Sequence, residues 1–435
     1  ANTVRACGLD DVRVHLSPAA IDDFRYGRVM PAGHVLNGQR GNSLVSSSLD
    51  LAAGGSARWH LVGDVGRDHL QSADLRGSLA DDRDLPARID RHLDQAADDL
   101  RRNVASADGL QLTGRPESWS HHFANVLFNN MRGGVFTKNH DVPVADFLDF
   151  LHVRHGEVAA RQANLIAGWP DVMTVDELRD AAGRTGDADF VRLSHEYLPL
   201  YFGRRHGAPS RPWNRFSIRV RDADGDPALN YEGNWRDIFQ NWEALSTTFP
   251  AFLPSMVAKF VNASTVDGFN PYRITRDGLD WETVAPDDPW SNIGYWGDHQ
   301  IIYLLKLLEG LHRHDPAAIG NLLGEEIFSY AEVPYLIKPY ADILKDPSDT
   351  IEFDAARDDR IAERVARLGT DGKLLTDPDG SVHHANLLEK LLVTALSKLS
   401  NLVPDAGIWM NTQRPEWNDA NNALAGGGVS VVTLC

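Results

Sequence analysis

In the segment E-W-N-D, Glu416 and Asp419 stand three residues apart, with Trp409, Met410 and Trp417 beside them in the chain. Apolar neighbours disfavour an ionised carboxylate, so one of the two acids can keep its proton near neutral pH and serve as a general acid. Asp419 can equally cap a helix beginning near Ala420, a role compatible with catalysis. The A-G-G-G-V-S stretch at 425–430 reads as a hinge, or as a loop whose N–H groups gather around an anion.

Three further segments share this vocabulary of aromatic, acidic and amide residues just ahead of helices. They are Y-E-G-N-W-R-D-I-F-Q-N-W at 231–242, D-G-F-N-P-Y-R at 267–273 and N-I-G-Y-W-G-D-H-Q at 292–300; the E-W-N-D acids lie in a fourth, N-T-Q-R-P-E-W-N-D-A-N-N at 411–422. Sugar sites use these types: Trp and Tyr faces stack on pyranose C–H groups, while Asp, Asn, Arg and Gln pair with hydroxyls. Taken singly, each segment is explained as well by a core tryptophan and a helix cap. Four sharing one vocabulary point to carbohydrate.

Other chemistries fall away. His383 and His384 are adjacent, and His312 and His314 are two apart. Neither spacing gives helical metal ligands, so no metal site is expected. The G-R-R-H-G stretch at 203–207 lacks the strand-turn-helix context of a phosphate loop, and no G-x-S-x-G nucleophile elbow occurs. Cys7 and Cys435 are the only cysteines, which leaves no disulfide framework. A net charge of −18 argues against nucleic acid or an anionic membrane as partner. The acids are mostly Asp and the bases mostly Arg, as in a GC-rich genome. No apolar run is long enough to cross a bilayer and no signal-type segment opens the chain, so a cytoplasmic enzyme is expected.

The elements that must position these segments follow from periodicity. Strands are expected at 12–16, 43–51 and 57–65, the last two joined as a hairpin by A-A-G-G-S. A helix at 84–104, capped by Asp84, reads as a linker. Helices are then expected at 121–131, 144–151, 158–167, 235–248, 254–262, 298–312, 355–368 and 386–402, with a hairpin from 214 around D-A-D-G-D. Both ends of the chain read as cuts. The expected organisation is the end of a β-sandwich at 1–76, a helical linker at 77–117 and a helical barrel, incomplete at its C-terminus, at 118–435. The fold class is mainly α, without βαβ alternation.

The order of these segments resembles the cellobiose phosphorylase family of inverting glycoside phosphorylases and, more broadly, its clan of (α/α)6-toroid, six-hairpin glycoside hydrolases. Members combine a β-sandwich, a helical linker and an (α/α)6 barrel. N-W-R-D-I-F-Q-N-W is similar to the family's F-R-D-x-L-Q-D, which implies sugar binding by Arg236, Asp237 and Gln240, with Trp235 beside them. D-G-F-N-P-Y-R and G-Y-W-G-D-H-Q occupy the places of two further family segments, implicating Asp267, Tyr295, Trp296 and Asp298. E-W-N-D-A-N-N is similar to G-D-W-N-D-G-M-N, whose second Asp is the general acid. That puts the role on Asp419, with Trp417 and Asn418 in the sugar wall. Glu416 stands where the family has Asp, and Ala420 where it has Gly.

The resemblance implies inverting cleavage of a glycosidic bond in an oligosaccharide or disaccharide, without a cofactor. Inorganic phosphate is the co-substrate if the enzyme is a phosphorylase. A hydrolase instead needs a second carboxylate about 6.5–9.5 Å from the acid, and Glu416 and Asp298 are the candidates. Phosphorylases of this type are often homodimers. Two other classes fit the same aromatics: a sugar epimerase or isomerase drawing on His140, His299 and His384 as proton shuttles, and a non-catalytic glycan-binding protein.

Overall fold

The computed structural model describes residues 3–30, 36–38, 41–79, 84–136, 138–203, 219–222, 227–271, 273–281, 283–287, 301–346, 349–409 and 428–435. The chain divides into two compact units, Ala1–Arg101 and Arg102–Cys435. Among the described residues no helix is long and apolar enough to cross a membrane.

In the first unit, strand β1 (Thr3–Cys7) pairs antiparallel with β4 (His60–Asp64), and β2 (Arg13–His15) with β3 (Leu44–Ser46). The expected hairpin between the last two strand regions does not form. The turn is present, with Gly55 N–H donating to Ala52 O at 2.8 Å, but β3 and β4 each find an earlier partner. The described strands of this unit make two two-stranded ribbons, β1–β4 and β2–β3. Helices α1 (Ala19–Arg25) and α2 (His69–Leu79) had no clear periodic signal. The linker helix α3 (Leu85–Ser106) lies where its 3.6-residue apolar spacing predicts, and its Asp90 takes His60 at 3.2 Å.

The second unit is mainly helical. It opens with α4 (Pro116–Gly133), which has Pro at its first turn, where the missing N–H is harmless. Strand β5 (Val135–Phe136) leaves it and pairs with β8 (Leu200–Tyr201). Between them lie β6 (Asp141–Pro143), α5 (Val144–Arg154), α6 (Gly156–Ile166), β7 (Val172–Thr174), α7 (Val175–Gly183) and α8 (Ala188–Glu196). β6 pairs with β7, and Thr174 and Glu177 form a reciprocal capping box on α7. Phe147, Phe150, Phe190 and Tyr197 fill the centre of this segment, with Phe147 and Tyr197 rings 5.1 Å apart.

Next come β9 (Glu232–Asn234), α9 (Trp235–Thr248) and α10 (Leu253–Asn262). Every residue of α10 except Pro254 is buried, the signature of a helix enclosed on all sides. It packs on α8, on α9, on α11 (Ile301–His314) and on α15 (Leu387–Leu399). Strands β10 (Arg273–Thr275) and β11 (Gly278–Asp280) join β9 in a three-stranded sheet, order β11-β10-β9. Short α12 (Ala318–Leu322), hairpin β12 (Tyr335–Ile337) and β13 (Ile351–Phe353) around α13 (Tyr340–Ile343), and α14 (Ala355–Leu368) follow. A 3-10 turn, Thr370–Lys373, then packs on α14. Strands β14 (Leu402–Val403), β15 (Gly407–Trp409) and β16 (Val429–Ser430) end the unit with the one-turn helix Val431–Leu434.

Helix α15 has its polarity reversed. Lys390, Thr394 and Lys398 are buried, whereas Leu388, Leu392, Leu396 and Leu399 are exposed. Lys390 tolerates the interior because its Nζ sits 3.3 Å from the centre of the Tyr330 ring. Burial pushes its amine well below the usual lysine range.

Candidate functional site

Two of the four sugar-type segments are brought together. Asn234 and Gly233 lie opposite Arg273 and Ile274 in the β9–β10 ladder, so Y-E-G-N-W-R-D and D-G-F-N-P-Y-R are neighbours. A side-chain bond ties them again. The Asn270 amide is satisfied in one orientation, its oxygen accepting from Trp235 Nε1 at 3.1 Å and its nitrogen donating to Phe269 O at 3.3 Å. Arg236 and Asp237 occupy the first turn of α9; their side chains lie outside the described residues. Gln240 follows one turn later and is exposed.

The aromatic members of the first segment are core, not platform. Trp235 is 0% exposed, enclosed by Phe239 at 5.2 Å and Phe260 at 4.7 Å. Trp242 is equally buried and donates its Nε1–H to Gly133 O at 2.7 Å. Tyr231 packs edge-on to Trp242 at 5.5 Å. The reason is spacing: positions 235, 238, 239 and 242 share one face of a 3.6-residue helix, and that face turns inward. Trp235 is thus corrected from a sugar-stacking residue to the anchor of the loop that carries Arg236 and Asp237.

Asp267 sits at the tip of a tight loop after α10. Thr265 N–H donates to Phe269 O at 2.8 Å, and Thr265 Oγ1 accepts from Phe269 N–H at 3.2 Å. Gly268 has φ +77°, and a Cβ there would meet Val393 O at 2.9 Å, so only glycine brings the loop this close to α15. Partial burial raises the Asp267 carboxyl above its usual range, against the pull of Arg357. Asp419, Glu416, Trp417, Asn418, Tyr295, Trp296, Asp298 and His299 lie outside the described residues, as does most of the hairpin from 214. The part of that hairpin that is described pairs Arg221 with Pro227.

Behind the two joined loops lies a buried network of charges that the sequence did not reveal. Arg154 donates from Nε to Asp371 Oδ1 at 2.7 Å and from Nη1 to Glu196 Oε2 at 2.6 Å. Arg192 donates from Nη2 to Asp371 Oδ2 at 2.6 Å and from Nη1 to Glu196 Oε1 at 3.2 Å. Asn262, the last residue of α10, donates to Glu196 Oε1 at 2.8 Å. Burial alone would raise the Glu196 carboxyl, but Arg154 and Arg192 outweigh it and hold it at about 2. Lys259 faces the same cluster and donates to Arg276 O at 3.0 Å; burial, with Arg154 nearby, lowers its amine to about 7. Two carboxylates matched by two guanidiniums satisfy each other here, which is the condition for keeping such charges away from water.

A second junction uses Arg276, in the turn between β10 and β11. Its Nη2 reaches Asp146 Oδ1 at 2.9 Å and Asp149 Oδ2 at 3.0 Å, both on α5. Tyr197 OH donates to the other oxygen of Asp146 at 2.5 Å. Arg179 on α7 reaches Ala251 O at 3.0 Å and Ser255 Oγ at 2.8 Å. The segment between β5 and β8 is thereby pinned to α10 and to the sheet that joins the two loops.

Of the histidines considered as proton shuttles, the two among the described residues, His140 and His384, do not pair with each other. His384 faces Asp189 at 3.4 Å, and His140 packs beside Phe249 and Phe252. Among the described residues no group of three or more His, Cys, Asp or Glu is placed to hold a metal ion.

Comparison with known families gives a match that falls on the pinned segment. Residues 136–199, from β5 to the residue before β8, match glycoside hydrolase family 149 insertion domain 1. No curated protein matches the chain. The matched segment lies inside the stretch at 118–435 read as barrel and includes α5, α6, α7 and α8. The match supports a family of the glycoside hydrolase or phosphorylase type, and does not single out the cellobiose phosphorylases.

Proposed function

We propose that the protein is a carbohydrate-active enzyme that cleaves a glycosidic bond with inversion. Asp419 is the general acid that protonates the leaving oxygen, and water or phosphate attacks from the opposite face. Arg236, Asp237, Gln240 and Asp267 hold the sugar next to the cleaved bond, together with Tyr295, Trp296, Asp298, Trp417 and Asn418. The catalytic unit is an (α/α)6 toroid. One observation carries the reading: a segment similar to an insertion domain of glycoside hydrolases is ion-paired to the sheet that joins the W-R-D and D-G-F-N loops. Glu416 and Asp298 are the carboxylates that activate water if the enzyme hydrolyses.

The test is incubation with β- and α-linked disaccharides and short oligosaccharides, with and without inorganic phosphate. Sugar 1-phosphate released only with phosphate identifies a phosphorylase, and free sugar without phosphate identifies a hydrolase. Asp419→Asn is expected to lose turnover while keeping sugar binding. Turnover undiminished in that variant removes Asp419 from the reaction. Sugar binding without turnover in the parent protein and the variant alike leaves a glycan-binding protein.

A further inference from the structure

The outward face of α9, opposite Trp235, Phe239 and Trp242, floors a cleft of about 440 Å³ flanked by α4 and α11. Arg132 enters it from α4, and Lys306 and Arg313 from α11; Asn129, Gln240 and Asn241 add amides, and Glu243 is the single acid among the described residues that line it. This is unusual in a chain of net charge −18.

The pairing of these cations is more telling than their number. The other arginines of this unit that are buried or half-buried each have a carboxylate within reach: Arg154, Arg179, Arg192, Arg273, Arg276, Arg357 and Arg364. Arg132 is half-buried, and it has no ion pair or hydrogen bond among the described residues. Arg313 is exposed and has none either. Lys306 has one, to Glu309 at 3.1 Å. A half-buried guanidinium without a partner, beside an exposed one and a lysine, suits an anion, because a planar fork of N–H donors matches phosphate oxygens in bidentate fashion. The volume falls within the roughly 300–1,000 Å³ of small-molecule clefts, more than a bare anion fills. Asn129, Gln240 and the Thr247 hydroxyl supply the groups that hold sugar hydroxyls.

We propose that this cleft binds a small phosphorylated sugar, its phosphoryl oxygens on Arg132 and Arg313 and its hydroxyls on the α9 amides. The proposal does not depend on the reaction proposed above: Gln240, placed there at the sugar, also lines this cleft, but Arg132 and Arg313, which hold the anion, have no part in that reaction.

Isothermal titration of the protein with a hexose phosphate, inorganic phosphate and the neutral hexose tests it. The hexose phosphate is expected to bind at one site per chain, inorganic phosphate more weakly, and the neutral sugar not measurably. Arg132→Gln with Arg313→Gln, checked for folding by circular dichroism, is expected to weaken hexose phosphate binding by about a hundredfold, roughly tenfold per lost charged hydrogen bond. Glu243→Gln is expected to tighten it, because the one repelling charge is removed. Absence of binding by the parent protein, or equal affinity in the double variant, overturns the site. So does a loss of hexose phosphate affinity in Arg236→Gln that matches the loss in the double variant, which would place the ligand at the sugar loops. Failure of Asp419→Asn to affect turnover leaves this result untouched, so the two proposals stand or fall separately.

Discussion

Arg192 and Asp371 meet at 2.6 Å with both side chains at 0% exposure, one inside the segment similar to an insertion domain and the other 179 residues away in the turn after α14. Asp371 also receives Arg154, so a single carboxylate satisfies two buried cations. Asp371→Ala leaves both without it. The expected loss is about 3–5 kcal/mol, the usual cost of breaking a buried pair by removing one partner. Urea denaturation of parent and variant measures it, and a loss below about 1 kcal/mol would mean that water reaches the site.

Glu196 gives the network a pH signature. Its carboxyl is held at about 2 in the fold against an ordinary 4.5, so the folded chain binds its proton less readily than the unfolded one. The stabilisation is complete above pH 4.5 and declines as pH falls towards 2. Its size is roughly 3 kcal/mol. Denaturation between pH 6 and 3 should show the parent losing more stability than Glu196→Gln. Parallel curves would place the acid sensitivity elsewhere.

Gly268→Ala is expected to destabilise by about 2 kcal/mol or more, because a left-handed φ and contact with the Val393 carbonyl both penalise a Cβ. The larger effect should fall on Asp267, whose loop would lift from α15. Amide exchange across 264–270 reads this directly, and unchanged protection there would show that the loop absorbs the methyl group.

Trp235→Phe separates the two readings of that ring. As a core anchor, it loses the Nε1–H bond to Asn270 and costs about 1–3 kcal/mol, with sugar affinity little changed. A large loss of sugar affinity at unchanged stability would return Trp235 to the sugar wall.

Periodicity located many of the longer helices, because packing obeys it, but passed over α7 and α8. The expected 235–248 and 355–368 coincide with α9 and α14, and 254–262 misses only the first residue of α10. It was less able to say which face turns inward. In α15 four leucines point outward and the lysines inward, since an aromatic ring and a carbonyl receive the buried amine of Lys390. The same limit hid the ionic cluster: Arg154, Arg192 and Asp371 each look like solvated charges until residues 179 and 217 positions apart are brought into contact. Strand pairing failed for a related reason, as nothing local tells β4 to prefer β1 over β3. Of the site, the adjacency of the W-R-D and D-G-F-N loops had only their shared vocabulary as a signal, whereas the cation-lined cleft had none.

The β5–β8 ladder has one last consequence. Val135 faces Tyr201 and Phe136 faces Leu200, so the chain departs and returns at a single doorway. A host protein can acquire, lengthen or discard what lies beyond such a doorway without rerouting its own path. Discarding it here would orphan Asp371, which would lose both Arg154 and Arg192, and would take Asp146 and Asp149 from Arg276. This appendage is therefore easy to graft by topology and hard to remove by electrostatics.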